Sequence, residues 1–510
     1  MKRTISQIIT TAVCAIAIAV SVNAQQINTL YFLENTPMRH TINPAFQPVS
    51  NGYLSLPVLG YTSLWAGNNS LSVADVIFAN PNNAGQTITV LHPDADKSAF
   101  LGLLRNNTII QADVTTMLLG VGGRTSKNGY WTVNITERID ANTSIPQSLF
   151  NFVLGGGMND LTGGMNKFDL SGMDLSATVY TDIALGYSHK INDRWTVGGK
   201  LKVLLGTAML QANMSDLAID ASIDQWNIHG NVDMTIAAPL NYESIQSGSS
   251  IQEIISETNL PSLLGLPEGG LTDPSALTRF LKPSGVGAAV DLGFTYRPFK
   301  FFSVNAAVTD LGMIHWTNTA SRTAVASMDT TFTGAGNLQY ADYVVDGKFS
   351  TDSLMSSVRQ SVMGLLDAAH VGIEESAGFN QFLNMKINIG ADFNFLNDKI
   401  SVGVLSRTRL VNKKVQEEVT LGVALKPFNW LNVAVSYSLL DNGHYSNIGA
   451  GLSLMPLDGL NITVAADYIP TVYTQGMTLP YHVKGVNAAI GLTFVWGTNH
   501  KKNKAADESI

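Results

Sequence analysis

Charge is scarce in this 510-residue sequence: Asp, Glu, Lys and Arg make up 14% of it, where an ordinary soluble protein carries about 25%. The apolar share is an ordinary 45%. The deficit therefore falls on the surface, with too little charge to coat a water-soluble globule of this size. The net charge is −8, from 31 basic and 39 acidic residues. No basic block is large enough to grip phosphate, so nucleic acid is not an expected partner. A single cysteine, Cys14, excludes a disulfide framework. After residue 24 no stretch reaches the roughly 18–20 apolar residues of a spanning helix. Catalytic signatures are also missing: there is no Gly-x-Ser-x-Gly elbow, no His-Glu-x-x-His and no phosphate loop. Nine histidines are scattered, among them His40, His92, His189, His229 and His315, and none pairs at helical spacing with another ligand. No metal, no cofactor and no enzymatic activity is expected.

What is present begins with an export signal. Lys2 and Arg3 form a positive start, Thr11 to Val20 an apolar centre, and Val22-Asn23-Ala24 a small-residue cleavage site. Cleavage is expected before Gln25, which makes residues 1–24 a signal peptide. It also removes the cysteine and two positive charges, moving the net charge from −8 to −10.

The rest of the chain is dominated by period-2 segments. In 387–395 the apolar residues Ile387, Ile389, Ala391, Phe393 and Phe395 alternate with Asn388, Gly390, Asp392 and Asn394. The same alternation runs through 183–205, 286–308, 400–404, 419–437, 448–468 and 486–496, and earlier through 110–118 and 131–135. Such a segment has one apolar face and one polar face. Most are about 9–12 residues long, enough for a tilted strand to cross a bilayer. The faces opposite the apolar ones are Gly, Ala, Ser, Thr and Asn, which suits a barrel interior. Aromatic pairs stand beside the turns (Tyr187 and Trp195, Tyr296 and Phe302, Phe393 and Phe395, Phe428 and Trp430, Phe494 and Trp496), as in an interfacial girdle.

Turns at 191–194, 297–300, 396–399, 426–429 and 455–459 are short, and most of the alternate connections, 140–172, 239–285, 311–383 and 469–483, are long. Short periplasmic turns alternating with long outer loops is the outer-membrane arrangement. The expectation is an all-β transmembrane antiparallel barrel over residues 50–497 with about 14 strands, or about 16 if 213–238 is another wall hairpin. Residues 25–49 precede it as a Pro-pinned segment, and 498–510 follow as a polar periplasmic tail. Apolar residues at helical spacing predict short helices in two long loops: Leu354, Val358, Val362, Leu365 and Ala369 within 352–370, and Ile251 to Leu264.

The mature N-terminus reads Tyr31-Phe32-Leu33-Glu34-Asn35-Thr36-Pro37, then Ile42-Asn43-Pro44-Ala45-Phe46-Gln47-Pro48. It resembles an uncharacterised outer-membrane β-barrel family of Bacteroidota, a domain of unknown function. More distantly it resembles the FadL-like long-chain fatty-acid channels and the PorV-type barrels. Thr309-Asp310-Leu311-Gly312 with Trp316 resembles their Asp-Leu-Gly…Trp element. The resemblance spans most of 27–497 and implies an N-terminal hatch inside the barrel. Two roles stay open. One is passive uptake of an apolar small molecule, with Asn43, Pro44, Ala45 and Phe46 of the hatch, Trp316 at the mouth and Leu354, Val358, Val362 and Leu365 of a loop helix as candidate contacts. The other is a structural or docking barrel for a secretion or surface-assembly partner. A soluble secreted β protein is the third reading. Asn43 to Phe46 either gate the lumen or anchor the segment to the wall. The expected location is the Gram-negative outer membrane, with lipid around the wall.

Overall fold

The computed structural model describes residues 27–497 except 91, 93, 126–127, 155–165, 222–224, 240–282, 334–343, 346–347, 350–369, 376, 412–413, 441–442, 444, 458 and 471–482. Alternating strands whose apolar face finds no protein partner can bury their backbone polar groups only by closing on themselves. They do so: 14 antiparallel strands form one closed barrel. Strand β1 is in two pieces, Gly52–Ser55 and Thr62–Asn68. Then come β2 (Asn107–Arg124), β3 (Gly129–Pro146), β4 (Asp174–Lys190) and β5 (Trp195–Ala221). Next are β6 (Gly285–Phe299), β7 (Phe302–Trp316), β8 (Phe379–Phe382 with Lys386–Phe395) and β9 (Ile400–Val411). The last five are β10 (Lys414–Phe428), β11 (Leu431–Leu440), β12 (Tyr445–Leu457), β13 (Leu460–Ala466) and β14 (Gly485–Trp496). Closure is between the ends of the wall: Gly52 lies opposite Trp496 and Thr62 opposite Ile490.

The alternation settles which face points where. Along β14 Asn487, Ala489, Thr493 and Val495 are buried, while Val486, Ile490, Phe494 and Trp496 are exposed. Leu185, Leu201, Leu292, Ile389, Leu421 and Val435 are likewise exposed on the outside of other strands. In water this outward apolar band would be costly; in a bilayer it is the contact surface. The expected aromatics beside the short turns face outward too, Trp195, Phe395, Phe428 and Trp496 among them.

The wall departs from the sequence expectation in three ways. The turns are tighter, only Lys300-Phe301 separating β6 from β7 and Asn429-Trp430 separating β10 from β11. Strands β2 and β3 run 18 residues each and β5 runs 27, well beyond the apolar alternation. Past the lipid-facing zone the outer face of a strand no longer meets lipid and its residues pack on loop segments, as Leu217 and Ile219 of β5 do, so the period that marks a strand in sequence disappears while the backbone ladder continues. Finally, 213–238 adds no strands to the wall. Gln225–Ala237 bonds to Met209–Ala221 of β5 on one side and to Ser321–Thr333 on the other, and Ser321–Thr333 in turn bonds to His370–Glu375. Because β5 gives its other half, Trp195–Gly206, to β6, the sheet forks, and the extra strands extend it at the long-loop end. The expected loop helix over 352–370 and the apolar group 251–264 lie outside the described residues, apart from His370, which is in a strand.

Candidate functional site

The barrel interior is occupied by the chain itself. Residues 27–50 enter through two 3-10 turns, Asn28–Phe32 and Pro37–Thr41. Pro37 stands at the first position of the second turn, where its missing N–H costs nothing and its fixed φ helps. Ile27, Leu30, Tyr31, Phe32, Leu33, Met38 and Ile42 form one buried cluster with wall residues such as Tyr53, Met117, Leu405, Ala424 and Ala434. Small inward residues make this possible. A side chain at Gly422 would overlap the Phe32 ring, and one at Gly293 would overlap the Asn43 amide.

Polar contacts fix the segment to strands around the lumen. The amides of Asn28 and Thr29 donate to Asp467 at 2.5 and 3.0 Å, and the Thr29 hydroxyl lies 2.6 Å from that of Ser436. Tyr31 donates to Asp392 at 2.6 Å and accepts from Asn305 at 2.6 Å. Glu34 pairs with Lys426 near the short turns. Burial opposes the Glu34 carboxylate, but Lys426 and Arg39 outweigh it and hold the group below its usual range. His40 is held from two sides, 2.8 Å from Lys200 Nζ and 2.8 Å from the Tyr53 hydroxyl. Lysine offers only donors, so Nδ1 accepts and the proton sits on Nε2, facing Tyr53. Burial, and then the charge of Lys200, push the imidazole well below its ordinary value, so it is neutral.

Asn43, Pro44, Ala45 and Phe46 act together. The Asn43 side chain donates to the Phe294 and Ala306 carbonyls, both at 3.3 Å, and accepts from the Ala45 amide at 2.9 Å. The Pro44 carbonyl lies against Gly198, and Arg39 covers the Phe46 ring at 4.3 Å. Trp316 is elsewhere. It is fully buried in a separate apolar cluster with Leu204, Ala289 and Ile314, and its indole N–H donates to Gln381 at 2.9 Å. Ten residues along β7 from Ala306, it stands about 33 Å from the Asn43 contact. Leu354, Val358, Val362 and Leu365 lie outside the described residues.

Beyond Ile27, toward the long-loop end, the lumen is filled by charge. Its centre is Asp310, in the left-handed region at φ 60° where β7 bulges against β6. Aspartate tolerates that conformation better than most residues, and a bulge re-aims the side chain it carries. The carboxylate accepts from Lys202 at 2.6 Å, Lys386 at 3.1 Å and Arg138 at 3.2 Å. Lys202 also pairs with Asp291 at 2.7 Å, Arg138 with Asp182 at 2.6 Å, and Arg409 with Asp113 at 3.2 Å. Arg407 joins this layer to the N-terminal segment: it donates to Asn388 at 2.8 Å, and Asn388 donates to the Ile42 carbonyl at 3.0 Å. The sequence reading missed this layer. Its signal is charge on the inward parity of otherwise apolar strands, as at Lys200 and Lys202 beside outward Leu201 and Val203.

Two small cavities lie among the described residues of the lumen. A cavity of about 10 Å³ lies between His40, Phe46, Tyr130 and Lys200, and one of about 20 Å³ between Ile27, Trp65, Arg138 and Arg409. Each has room for one or two water molecules, and neither admits a solute.

The molecule is thus a closed 14-strand membrane-type β-barrel with its own N-terminal segment packed inside. Residues 44–467 match the model of a family of unknown function, DUF5723, and the chain belongs to that family. No curated protein matches the chain. Among solved structures it is similar to the toluene transporter TbuX of Ralstonia pickettii at 9% identity, covering 93% of this chain and 97% of that one with a TM-score of 0.42. It is also similar to a FadL homologue of Pseudomonas aeruginosa at 11% identity, covering 94% and 100% with a TM-score of 0.38.

Proposed function

We propose that this protein is an outer-membrane barrel that is closed through its lumen and works as a non-transporting structural or docking barrel. The observation that carries this reading is the packing of residues 27–48 across the lumen. Burial of a large apolar side chain contributes about 1.5–3 kcal/mol. Leu30, Tyr31, Phe32, Leu33 and Met38 are all buried, a gross apolar contribution of roughly 10 kcal/mol set against the entropy of ordering the segment. The charged layer above is a further barrier to an apolar solute.

A second reading, uptake of apolar small molecules, is favoured by the apolar clusters at the long-loop end. One joins Leu71, Val90, Phe100 and Leu104 to Leu154, the other Leu170, Leu217 and Ile219 to Phe152 and Phe168. A solute collected there would have to leave the lumen above the charged layer. The test uses full-length protein in planar bilayers and in vesicles charged with a fluorescent hydrocarbon. No steady conductance and no acceleration of probe entry is the expected result. A stable open channel overturns the closed barrel, and probe entry without conductance favours uptake. Deleting residues 27–48 completes the test: if the barrel assembles and conducts, the segment is a plug, and if assembly fails it is part of the fold.

A further inference from the structure

Among the described residues of the barrel's short-turn end, three neighbouring turns carry most of the exposed charge. They join β4 to β5, β6 to β7 and β8 to β9, and they are tied together: the Arg297 amide donates to the Arg194 carbonyl at 2.7 Å, and the Asn394 amide to the Phe301 carbonyl at 2.8 Å. Exposed on them are Arg194, Arg297, Lys300 and Lys399. Lys190 is also here but is paired with Asp193 at 2.9 Å. Against the four remaining cations stand Asp398, exposed on its turn, and the carboxylates of Glu34 and Asp392, which also feel the charge of Arg297. The rest of the rim has no counterpart among the described residues. Lys426 is bound to Glu34, and Arg124 donates to the Pro48 carbonyl at 3.0 Å.

Beside these turns, on the outward face, stand three pairs of aromatic rings. Trp195 stacks on Tyr296 at 4.3 Å between ring centres, Phe299 on Phe301 at 5.4 Å, and Phe302 meets Phe393 at 4.6 Å. Aromatic belts of this kind mark the level where acyl chains meet headgroups. A cation one turn beyond such a belt sits at the height of the lipid phosphates.

We propose that the arc Arg194–Arg297–Lys300–Lys399, with its aromatic shelf, is a binding surface for anionic phospholipid headgroups. The apolar shelf holds the acyl chains and the guanidinium and ammonium groups hold the phosphate. Headgroup phosphate and free phosphate share this chemistry; the shelf selects the lipid, because free phosphate would use the cations alone. The inference rests on the membrane-barrel reading, whose own failure would show separately as absence from the membrane fraction. Each cation near an anionic surface is worth about a fivefold gain in local headgroup concentration.

The test is binding of phosphatidylglycerol against phosphatidylcholine to the purified full-length barrel in neutral detergent, counted by native mass spectrometry. Wild type should prefer phosphatidylglycerol by tenfold or more, and raised salt should weaken that preference. The variant Arg194→Gln/Arg297→Gln/Lys300→Gln/Lys399→Gln should lose it, while Lys97→Gln/Lys167→Gln, at the opposite end, should keep it. Heat-modifiable gel migration confirms that each variant is folded, and Lys300→Gln/Lys399→Gln, with an intermediate loss expected, substitutes if the fourfold variant does not assemble. Equal binding of the two lipids by wild type, or an unchanged preference in folded variants, overturns the proposal. Competition by millimolar inorganic phosphate that abolishes the preference would show a free-anion site and overturn the lipid assignment.

Discussion

His40 gives the N-terminal segment a calculable dependence on pH. Its imidazole is neutral, buried, and 2.8 Å from the ammonium of Lys200, with Tyr53 on its other nitrogen. Tyr130 and Thr132 line the small cavity beside it, and Asp291 faces Lys200 from β6. Protonation would set two cations against each other in a site with no carboxylate on the ring. The docked histidine therefore has its pKa well below the ordinary 6.5, while a released one titrates normally. Below pH 6.5 the released state binds a proton that the docked state refuses. Docking is thus fully stable above that pH and weakens as pH falls, by about 1.4 kcal/mol, or tenfold, per unit until the docked imidazole itself protonates. From pH 7.5 to 5.5 the opening constant should rise about tenfold. Hydrogen exchange of peptides from 27–48, read by mass spectrometry, follows that constant. Dividing wild type by His40→Gln at each pH cancels intrinsic exchange and every other titrating group. Lys200→Gln should flatten the same curve, because the second cause of the depression, after burial, is gone. A ratio independent of pH between 7.5 and 5.5, with both barrels folded, would refute this account of the docked segment.

Three other perturbations bear on the same interior. Asp310→Asn leaves Lys202, Lys386 and Arg138 without their shared carboxylate, so the barrel should lose about 3–5 kcal/mol, read as a lower midpoint in a heat-modifiability series; an unchanged midpoint would mean that the layer is solvated. Gly422→Val drives a side chain into the Phe32 ring and should weaken docking by about 1–3 kcal/mol. Phe32→Ala should then cost less in that background than alone, and strictly additive exchange rates would contradict the contact. Glu34→Gln should weaken docking by about 1–3 kcal/mol, because its charge-assisted pair with Lys426 is largely buried, at 26% and 14% side-chain exposure. With its carboxyl held below 4.5, any contribution of Glu34 is present above pH 4.5 and fades only beneath it, which separates it from the His40 effect in the same exchange series.

The wall could be read from the chain because lipid and lumen impose opposite demands at successive residues, so β14 alternates in sequence as it does in burial. Its count could be read because short turns bring strands together in pairs. Outside the lipid zone that opposition ends; the long tail of β5 carries no such mark, and 213–238 reads as a hairpin without showing that Gln225–Ala237 forks off the wall. The interior was legible only in part. Pro37, Pro44 and Pro48 marked a rigid segment, but which wall groups it meets depends on contacts spanning hundreds of residues, such as Thr29 with Asp467 and Asn43 with Ala306. No local pattern records such pairs. Asp310 stood inside a recognised motif, yet its part as the centre of three cations follows from a bulge and a left-handed backbone that the residue type permits without requiring. The charges on the inward parity carried more information than was taken from them. On a strand that crosses a membrane as part of a barrel wall, Lys200, Lys202, Asp291 and Lys386 must face away from lipid, toward water or toward one another. Once a strand is assigned and its outward face is known, every charged residue of the other parity is a claim about the lumen. Here Lys202 meets Asp291 and Asp310, and Lys386 meets Asp310, a pairing that parity alone does not choose over a water-filled interior.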